Sequence, residues 1–144
     1  GDVLDQLGIG YDIRIMSAHR TPAEAGEYAS TAADRGLKVL ICGAGMAAHL
    51  AGAFAAHSYL PVIGVPLNGS LDGLDALLAT VQMPPGVPVA TVAIGKAGAK
   101  NAAWLAARII ATSDAEVQER MVAGIKDMSD KVREADAELQ ASRG

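Results

Sequence analysis

Short apolar runs alternate with longer amphipathic segments along most of this chain. The runs have the length of β-strands, and the run at 61–65 is apolar at nearly every position, as expected of a strand covered on both faces. Strands that alternate with helices in this way indicate βαβ units and a parallel sheet, which is an α/β fold. Strands are predicted over residues 12–17, 37–42, 61–65 and 88–94, and helices over residues 1–7, 22–35, 47–57, 71–81, 99–112 and 114–141.

Two helix starts are marked by residues that satisfy free backbone groups. Thr21 and Glu24 form a predicted capping box, and Pro22 occupies the first helical position that proline favours. Ser113 and Glu116 form a second predicted box, which opens the long polar helix at the end of the chain. These signals place the helix starts next to the ends of the preceding elements.

The pattern begins with the last turns of a helix, because residues 1–7 are amphipathic and Gly8 ends them. A sheet that starts from such a helix lacks the strand expected before it, and an unpaired hydrophobic slot would be left. We therefore expect a further strand, a loop and half a helix before residue 1 in the natural protein. Residues 1–144 are expected to form a single domain.

Composition narrows the class of protein and of partner. The chain has 51% apolar and 19% charged residues, so a folded domain is expected, and a chain this apolar favours a homo-oligomer. Its net charge of −4 argues against nucleic acid, because binding to the phosphate backbone needs a basic surface. The single Cys42 excludes an internal disulfide framework and fits the reducing cytoplasm. No apolar run approaches the length of a membrane span, so a cytoplasmic protein without a membrane partner is expected.

The loops that follow the strands are the expected place for a ligand. Right-handed crossovers bring the carboxyl ends of parallel strands to one edge of the sheet, and ligands of open α/β sheets bind there. The loops predicted to share this edge lie at 17–21, 43–47, 66–71 and 95–98.

Two histidines and an arginine lie in these loops or just after them. His19 and Arg20 follow the first predicted strand, and His49 follows the next one. Imidazole gives and takes protons near neutral pH, and a guanidinium can bind phosphate or carboxylate with two hydrogen bonds. The constellation therefore predicts proton transfer on an anionic small molecule. His57 lies beyond its helix and is expected to be a surface residue without a role.

Four familiar types of site are not matched. Gly43-Ala44-Gly45 lacks the third glycine of a dinucleotide-binding loop, and Gly95-Lys96 lacks the following Ser or Thr of a phosphate loop. The two candidate histidines have no Cys or carboxylate at metal-ligand spacing. The nucleophile elbow Gly-x-Ser-x-Gly of serine hydrolases is absent from the sequence as well.

Several segments together resemble the N5-carboxyaminoimidazole ribonucleotide mutase family of purine biosynthesis. The resemblance covers residues 1 to about 120, with the motifs in the family's order. The segments that carry it are Ser17-Ala18-His19-Arg20-Thr21-Pro22, Gly43-Ala44-Gly45, Ala47-Ala48-His49-Leu50, Pro61-Val62-Ile63-Gly64-Val65-Pro66, Val81-Gln82-Met83-Pro84 and Ala93-Ile94-Gly95.

The resemblance implies a fold, an activity and a set of site residues. The implied fold is a three-layer α/β/α sandwich with a mostly parallel, doubly wound, flavodoxin-like sheet, assembled as a homo-octamer. The implied reaction needs no cofactor and moves a carboxyl group from N5 to C4 of the substrate, with His19 as the general acid and base. The implied substrate-binding residues are Ser17 and Arg20 at the phosphate, Ala18 beside them, and Ala44, Gly45, His49 and Leu50 at the wall around the base and CO₂.

The sequence departs from the family at three places. The family's Gly-Ser-x-Ser-Asp loop is not found in this chain, Met46 stands where the family usually has Gly, and Ala51 stands where it usually has Pro. Met46 is expected to narrow the pocket. Two other functions stay open: a carboxylase that uses aminoimidazole ribonucleotide and CO₂ directly, and a domain of this superfamily without turnover or with another substrate.

Subunit contacts are expected from the last two helices. Residues 99–112 are rich in alanine around Trp104, and residues 114–141 carry an apolar stripe at helical spacing. The 114–141 helix is expected to pack on a neighbouring subunit. The alternative interpretation is that the stripe packs against its own domain. The stripe consists of Val117, Met121, Ile125, Met128 and Val132.

Overall fold

A parallel sheet of three strands lies at the centre of the computed structural model, which describes residues 1–143. The strands β1 (Leu40–Gly45), β2 (Val62–Leu67) and β3 (Ala90–Thr91) are ordered β1-β2-β3. In the register of the first pair, Leu40 is opposite Val62 and Gly45 is opposite Leu67. The helices are α1 (Asp2–Gln6), α2 (Pro22–Ser30), α3 (Leu50–His57), α4 (Leu74–Val81), α5 (Gly95–Ala111) and α6 (Ala115–Arg143), with a 3-10 turn at Ser70–Gly73 before α4.

Helices cover both faces of the sheet. One core joins Leu40, Cys42 and Val62 to small residues of α2 and α3 and to Phe54. The other core joins Ile63 and Val65 of the opposite face to two alanines of α5. Helices α1 and α6 pack on α5. The expected three-layer, doubly wound α/β fold is therefore confirmed.

The strand predicted over residues 12–17 is not formed. Within residues 1–143, β1 pairs only with β2, and residues 11–16 pair with no strand. A groove of about 710 Å³ separates this segment from β1 and is lined by apolar side chains from both. A strand requires a hydrogen-bonding neighbour along its length, so the segment stays irregular and leaves Ile13 69% exposed.

Several predicted boundaries shift because local backbone geometry outweighs the apolar pattern. The helix expected over 71–81 begins as α4 at Leu74, since Leu71, Asp72 and Gly73 all have positive φ. The helix expected over 22–35 is α2 up to Ser30, followed by turns. In the segment 88–94, which was expected to be a strand, only Ala90 and Thr91 pair with β2.

Both predicted capping boxes are wrong in detail. Thr21 precedes α2, but its hydroxyl bonds to Ser17 and caps no helical amide. At α6 the cap is Asp114, whose Oδ1 accepts the amide hydrogen of Val117 at 3.1 Å. A carboxylate one residue closer to the helix thus replaces the predicted Ser113.

Cys42 is buried in the sheet, and burial raises the pKa of its thiol to about 12. The thiol is therefore protonated at neutral pH and a poor nucleophile. None of the helices within residues 1–143 combines the length and apolar character needed to cross a bilayer.

Gly64 of β2 has no room for a side chain in the core. A methyl group at this position would lie 2.9 Å from Val89 Cγ1 and 3.3 Å from Ala51 Cβ, and it would also meet Thr80 Cγ2. We predict that Gly64→Ala lowers the free energy of unfolding by about 1–3 kcal/mol through overpacking. Urea denaturation of the variant and the parent checks this.

The matched control is Gly10→Ala, because a methyl group at Gly10 has no neighbour within 4 Å. The control should unfold at the parent's urea concentration. Equal urea midpoints for the Gly64 and Gly10 variants would contradict this prediction. They would show that α4 and the segment before β3 move to accept the methyl group without loss of stability.

Candidate functional site

Two histidines from different loops meet beside the carboxyl end of β1. His19 Nε2 lies 2.8 Å from His49 Nδ1, and the rings are edge to face with centroids 4.9 Å apart. A hydrogen bond at this distance needs a hydrogen on one of the two nitrogens and a lone pair on the other. The pair therefore shares one proton between its inner nitrogens. His19 Nδ1 and His49 Nε2 are the nitrogens left for a ligand.

A closed turn holds His19 in place. Ser17 Oγ accepts the amide hydrogens of His19 at 3.3 Å and Arg20 at 3.1 Å. Thr21 Oγ1 accepts the amide hydrogen of Ser17 at 2.9 Å and donates its own hydrogen to Ser17 O at 3.1 Å. Pro22, which has no amide hydrogen, then starts α2. Serine and threonine thus satisfy the backbone of the turn and fix the direction of the imidazole.

His49 is held from the other side by the start of α3. It is the N-cap residue of this helix, and its carbonyl accepts the amide hydrogen of Ala53 at 2.9 Å. The segment from β1 to His49 contains only small residues and Met46. The imidazole is exposed, so it can reach both His19 and a ligand.

The histidines border a cleft of about 280 Å³ in which more than half of the lining residues are Gly, Ala or Ser. At the end of β1, Gly45 lies beside Leu67, and a methyl group on Gly45 would make an ordinary contact with the Leu67 carbonyl oxygen at 3.5 Å. Short side chains leave space for a flat ring against the backbone. The lining residues are Met16, Ser17, Ala18, His19, Gly43, Ala44, Gly45, Ala47, His49, Leu50 and Leu67.

Seven of the eight predicted site residues line this cleft, and Arg20 does not. The Arg20 side chain is exposed next to it, and within residues 1–143 it forms no ion pair. Sequence reasoning did not assign Met16, Gly43, Ala47 or Leu67 to the site. Gly43 and Ala47 lie inside segments already singled out, whereas Leu67 enters through its register opposite Gly45, which the sequence does not specify.

The other loops of this edge lie next to one another, as expected. Met46 Cγ would be 3.7 Å from a methyl group at Gly69, and Asn68 Oδ1 would be 3.5 Å from one at Gly95. Met46 does not narrow the cleft, since it lies outside the lining and is 61% exposed. Ala51 is buried against Gly64 and takes no part in the site.

The chain matches a protein family over most of its length. A family model described as AIR carboxylase matches residues 1–131. The chain belongs to the AIR carboxylase family. The resemblance drawn from its sequence motifs is thereby confirmed.

Relatives named N5-carboxyaminoimidazole ribonucleotide mutase are similar to this family member over nearly all of it. The protein of Mycobacterium leprae is 53% identical over 142 residues, which are 98% of this chain and 82% of the relative. The protein of Pyrococcus horikoshii is 52% identical, with 96% and 77% covered. Among solved structures, the crystal structure of Treponema denticola PurE has a TM-score of 0.83 at 30% identity and covers 96% of this chain and 85% of that one.

In this AIR carboxylase family member, the larger of two cavities is not the one that contains the histidine pair. The groove beside β1 is the larger cavity but is lined mainly by apolar side chains, whereas the smaller cleft holds the paired imidazoles. Within residues 1–143 no three His, Cys, Asp or Glu side chains come together as metal ligands. His57 Nδ1 donates to the Ala53 carbonyl oxygen at 2.8 Å, and its ring lies beside Gly26, so its role is structural.

Proposed function

We propose that this chain converts N5-carboxyaminoimidazole ribonucleotide to 4-carboxy-5-aminoimidazole ribonucleotide in purine biosynthesis. The observation that carries the proposal is the hydrogen-bonded pair of His19 and His49 in a cleft with small walls. Relatives that are 52–54% identical and named as the mutase support it. The reaction is an isomerisation, so the site must give one proton to the substrate and take one proton back.

The proposed chemistry has two steps at His19. When the carbamate C–N bond breaks, its electron pair stays on N5, which takes a proton from His19, and CO₂ is released into the cleft. The electron-rich ring carbon C4 then attacks CO₂ and forms the new C–C bond. His19 takes the proton from C4, which restores the aromatic ring and returns the imidazole to its starting state. His49 holds the inner nitrogen of His19 during both transfers.

Substrate binding is proposed to divide between the cleft and its rim. The cleft wall formed by Ala44, Gly45, His49 and Leu50 receives the flat base and CO₂, because alanine and glycine leave the backbone accessible there. The exposed Arg20 side chain and the Ser17 hydroxyl receive the phosphate at the start of α2. A helix N-terminus favours an anion there.

His19→Asn should abolish turnover and leave the fold intact. Asparagine keeps a polar side chain but cannot carry the proton, so the loss of a positioned acid and base should lower kcat by about 10²–10⁴-fold. Consumption of N5-carboxyaminoimidazole ribonucleotide, with circular dichroism as a check of folding, measures this. His57→Asn is the matched control, because His57 lies outside the cleft.

The same assay separates the alternative function. A direct carboxylase would consume aminoimidazole ribonucleotide with CO₂ and would leave the N5-carboxylated substrate unused. That pattern, or a His19→Asn variant that is as active as His57→Asn, would contradict the proposal.

Arg20→Ala should weaken ribonucleotide binding more than it slows the chemistry. Loss of a charged hydrogen bond to phosphate should raise KM by about 10- to 100-fold, with kcat changed much less, since the phosphate is remote from the reacting carbon. Arg20→Lys keeps the charge and should recover part of the affinity. A collapsed kcat at unchanged KM would instead place Arg20 at the reacting atoms.

The assembly proposed from the sequence needs one correction. The small residues of α5 do not form a subunit contact, because Ala102, Ala103, Ala106 and Ala107 are buried within the chain's own fold. Trp104 packs on α6 of the same chain, where a methyl group at Gly124 would lie 2.8 Å from its ring.

The stripe on α6 divides into two parts. Val117 is buried, whereas Met128 and Val132 are exposed, and Leu139 continues the exposed part. We propose that the protein is a cytoplasmic homo-oligomer. The resemblance to the mutase family implies an octamer. In this proposal the second half of the 114–141 segment packs on a neighbouring subunit.

Val132→Glu should weaken this assembly, because it places a charge on an apolar position that is 71% exposed in the single chain. Light scattering at micromolar concentration should show the parent as an oligomer and the variant at a smaller mass. Glu134→Lys, about half a turn away on the same helix, is the control and should keep the parent's mass. A monomeric, fully active parent would overturn the oligomer and any site shared between subunits.

A further inference from the structure

The turn that carries His19 receives no hydrogen-bonded support from the segment before it. Residues 11–16 pair with no strand, and within residues 1–143 their amide and carbonyl groups take part in no backbone hydrogen bond. A residue that follows a parallel strand is normally placed by the strand's hydrogen bonds to its neighbour. The hydrogen bonds that place His19 therefore come from the turn itself and from the residues after it.

The amide hydrogens of three successive residues in this turn are all donated to Ser17. Ser17 Oγ accepts those of His19 and Arg20 at 3.3 Å and 3.1 Å, and Ser17 O accepts that of Thr21 at 2.9 Å. Short polar side chains commonly bond to nearby backbone groups in this way. The direction of the His19 backbone therefore depends on how Ser17 itself is oriented.

Thr21 Oγ1 is the atom that orients Ser17. It accepts the amide hydrogen of Ser17 at 2.9 Å and donates its own hydrogen to Ser17 O at 3.1 Å. Both backbone groups of Ser17 are thus held by one hydroxyl. Threonine suits this role, because its branched Cβ restricts rotation about χ1 and keeps the hydroxyl in one direction.

The Thr21 hydroxyl is not used by the helix that it precedes. A threonine at an N-cap normally accepts an amide hydrogen from the first turn of its helix. Thr21 is the N-cap residue of α2, but its side chain bonds to no amide of α2, and only its carbonyl joins the helix by accepting the amide hydrogen of Ala25 at 3.0 Å. The hydroxyl instead connects the start of α2 to the turn that carries His19.

We propose that Thr21 is a positioning residue whose hydroxyl keeps His19 within hydrogen-bond distance of His49 and so sets kcat. The 2.8 Å between His19 Nε2 and His49 Nδ1 lies in the narrow range that a hydrogen bond requires. Thr21 itself lies outside the lining of the cleft, so it acts through Ser17 and His19. The effect on kcat rests on the proposed mutase function, whereas the effect on the histidine pair does not.

Two substitutions separate the hydroxyl from the rest of the Thr21 side chain. Thr21→Val keeps the branched shape and removes the hydroxyl, whereas Thr21→Ser keeps the hydroxyl and removes a methyl group. We expect Thr21→Val to lower kcat by about 10- to 100-fold, because a small displacement of a reacting group has an effect of this size. KM should change less, since the long Arg20 side chain can still reach a phosphate from a displaced turn. Thr21→Ser should keep most of the parent's kcat.

Nitrogen NMR of protein labelled in its histidine rings supplies a readout that needs no substrate. In the parent, the inner nitrogens of His19 and His49 should show a scalar coupling across their hydrogen bond. We expect the coupling to persist in Thr21→Ser and to disappear in Thr21→Val. A parent without the coupling, or a Thr21→Val variant that retains it, would overturn the proposal. So would a Thr21→Ser variant that loses both the coupling and kcat.

The matched control is Thr31→Val at the other end of α2. The Thr31 hydroxyl also bonds to the backbone, since it donates to Glu27 O at 2.8 Å, but it lies outside the cleft. Both valine variants should keep the parent's circular dichroism, and Thr31→Val should keep its kcat and its coupling. An equal fall in kcat in the two variants would assign the effect to α2 as a whole and overturn the role of Thr21. A rise in KM at constant kcat in Thr21→Val would also overturn it, because Thr21 would then act on binding.

The two proposals can fail separately. If the parent shows no mutase activity but the coupling between the imidazoles depends on the Thr21 hydroxyl, the proposed function fails and the positioning of His19 stands. If the parent is an active mutase and neither the coupling nor kcat responds to Thr21→Val, the positioning role fails alone.

Discussion

Parallel pairing of β1 with β2 is the constraint on which the candidate site depends. The register that sets Gly45 opposite Leu67 ends both strands at one edge, so the loops that follow them must lie side by side. The first of these loops leads to His49, and its Met46 lies near Gly69 of the second loop. A shift of the register by one residue would turn Leu67 to the other face of the sheet. The cleft would then lose one wall while each loop kept its sequence.

Small side chains serve the core and the cleft by the same physical means. Alanines of α5 let the helix lie close to Ile63 and Val65, and glycine at position 64 lets β2 approach Thr80 and Val89. At the end of β1, small side chains likewise leave the backbone accessible beside the two imidazoles. The few aromatic residues therefore do not weaken the core. They reflect a fold that depends on close backbone approach.

The sequence predicted the fold class and the edge of the sheet at which the histidines meet, because both follow from strand order and the right-handed crossover. It did not predict the 2.8 Å contact of His19 with His49, which depends on the turn closed by Ser17 and Thr21. It also failed at 12–17, where alternating apolar residues suit a strand but the neighbour needed for hydrogen bonding is not in place. The local sequence pattern shows which secondary structure a segment favours, but a β-strand forms only where a neighbouring strand pairs with it.

The histidine pair limits how a ligand can be approached. Its internal hydrogen bond occupies His19 Nε2 and His49 Nδ1, so a bound molecule meets either the outer nitrogens of an intact pair or the inner nitrogen of a pair it has separated. His19 Nδ1 can take up a proton only when it carries a lone pair, so in an intact pair the hydrogen of the neutral ring is then on Nε2 and is donated to His49 Nδ1. In the proposed reaction, one proton leaves His19 and another returns to it while His49 keeps the ring oriented, so the reaction has no net change in protons.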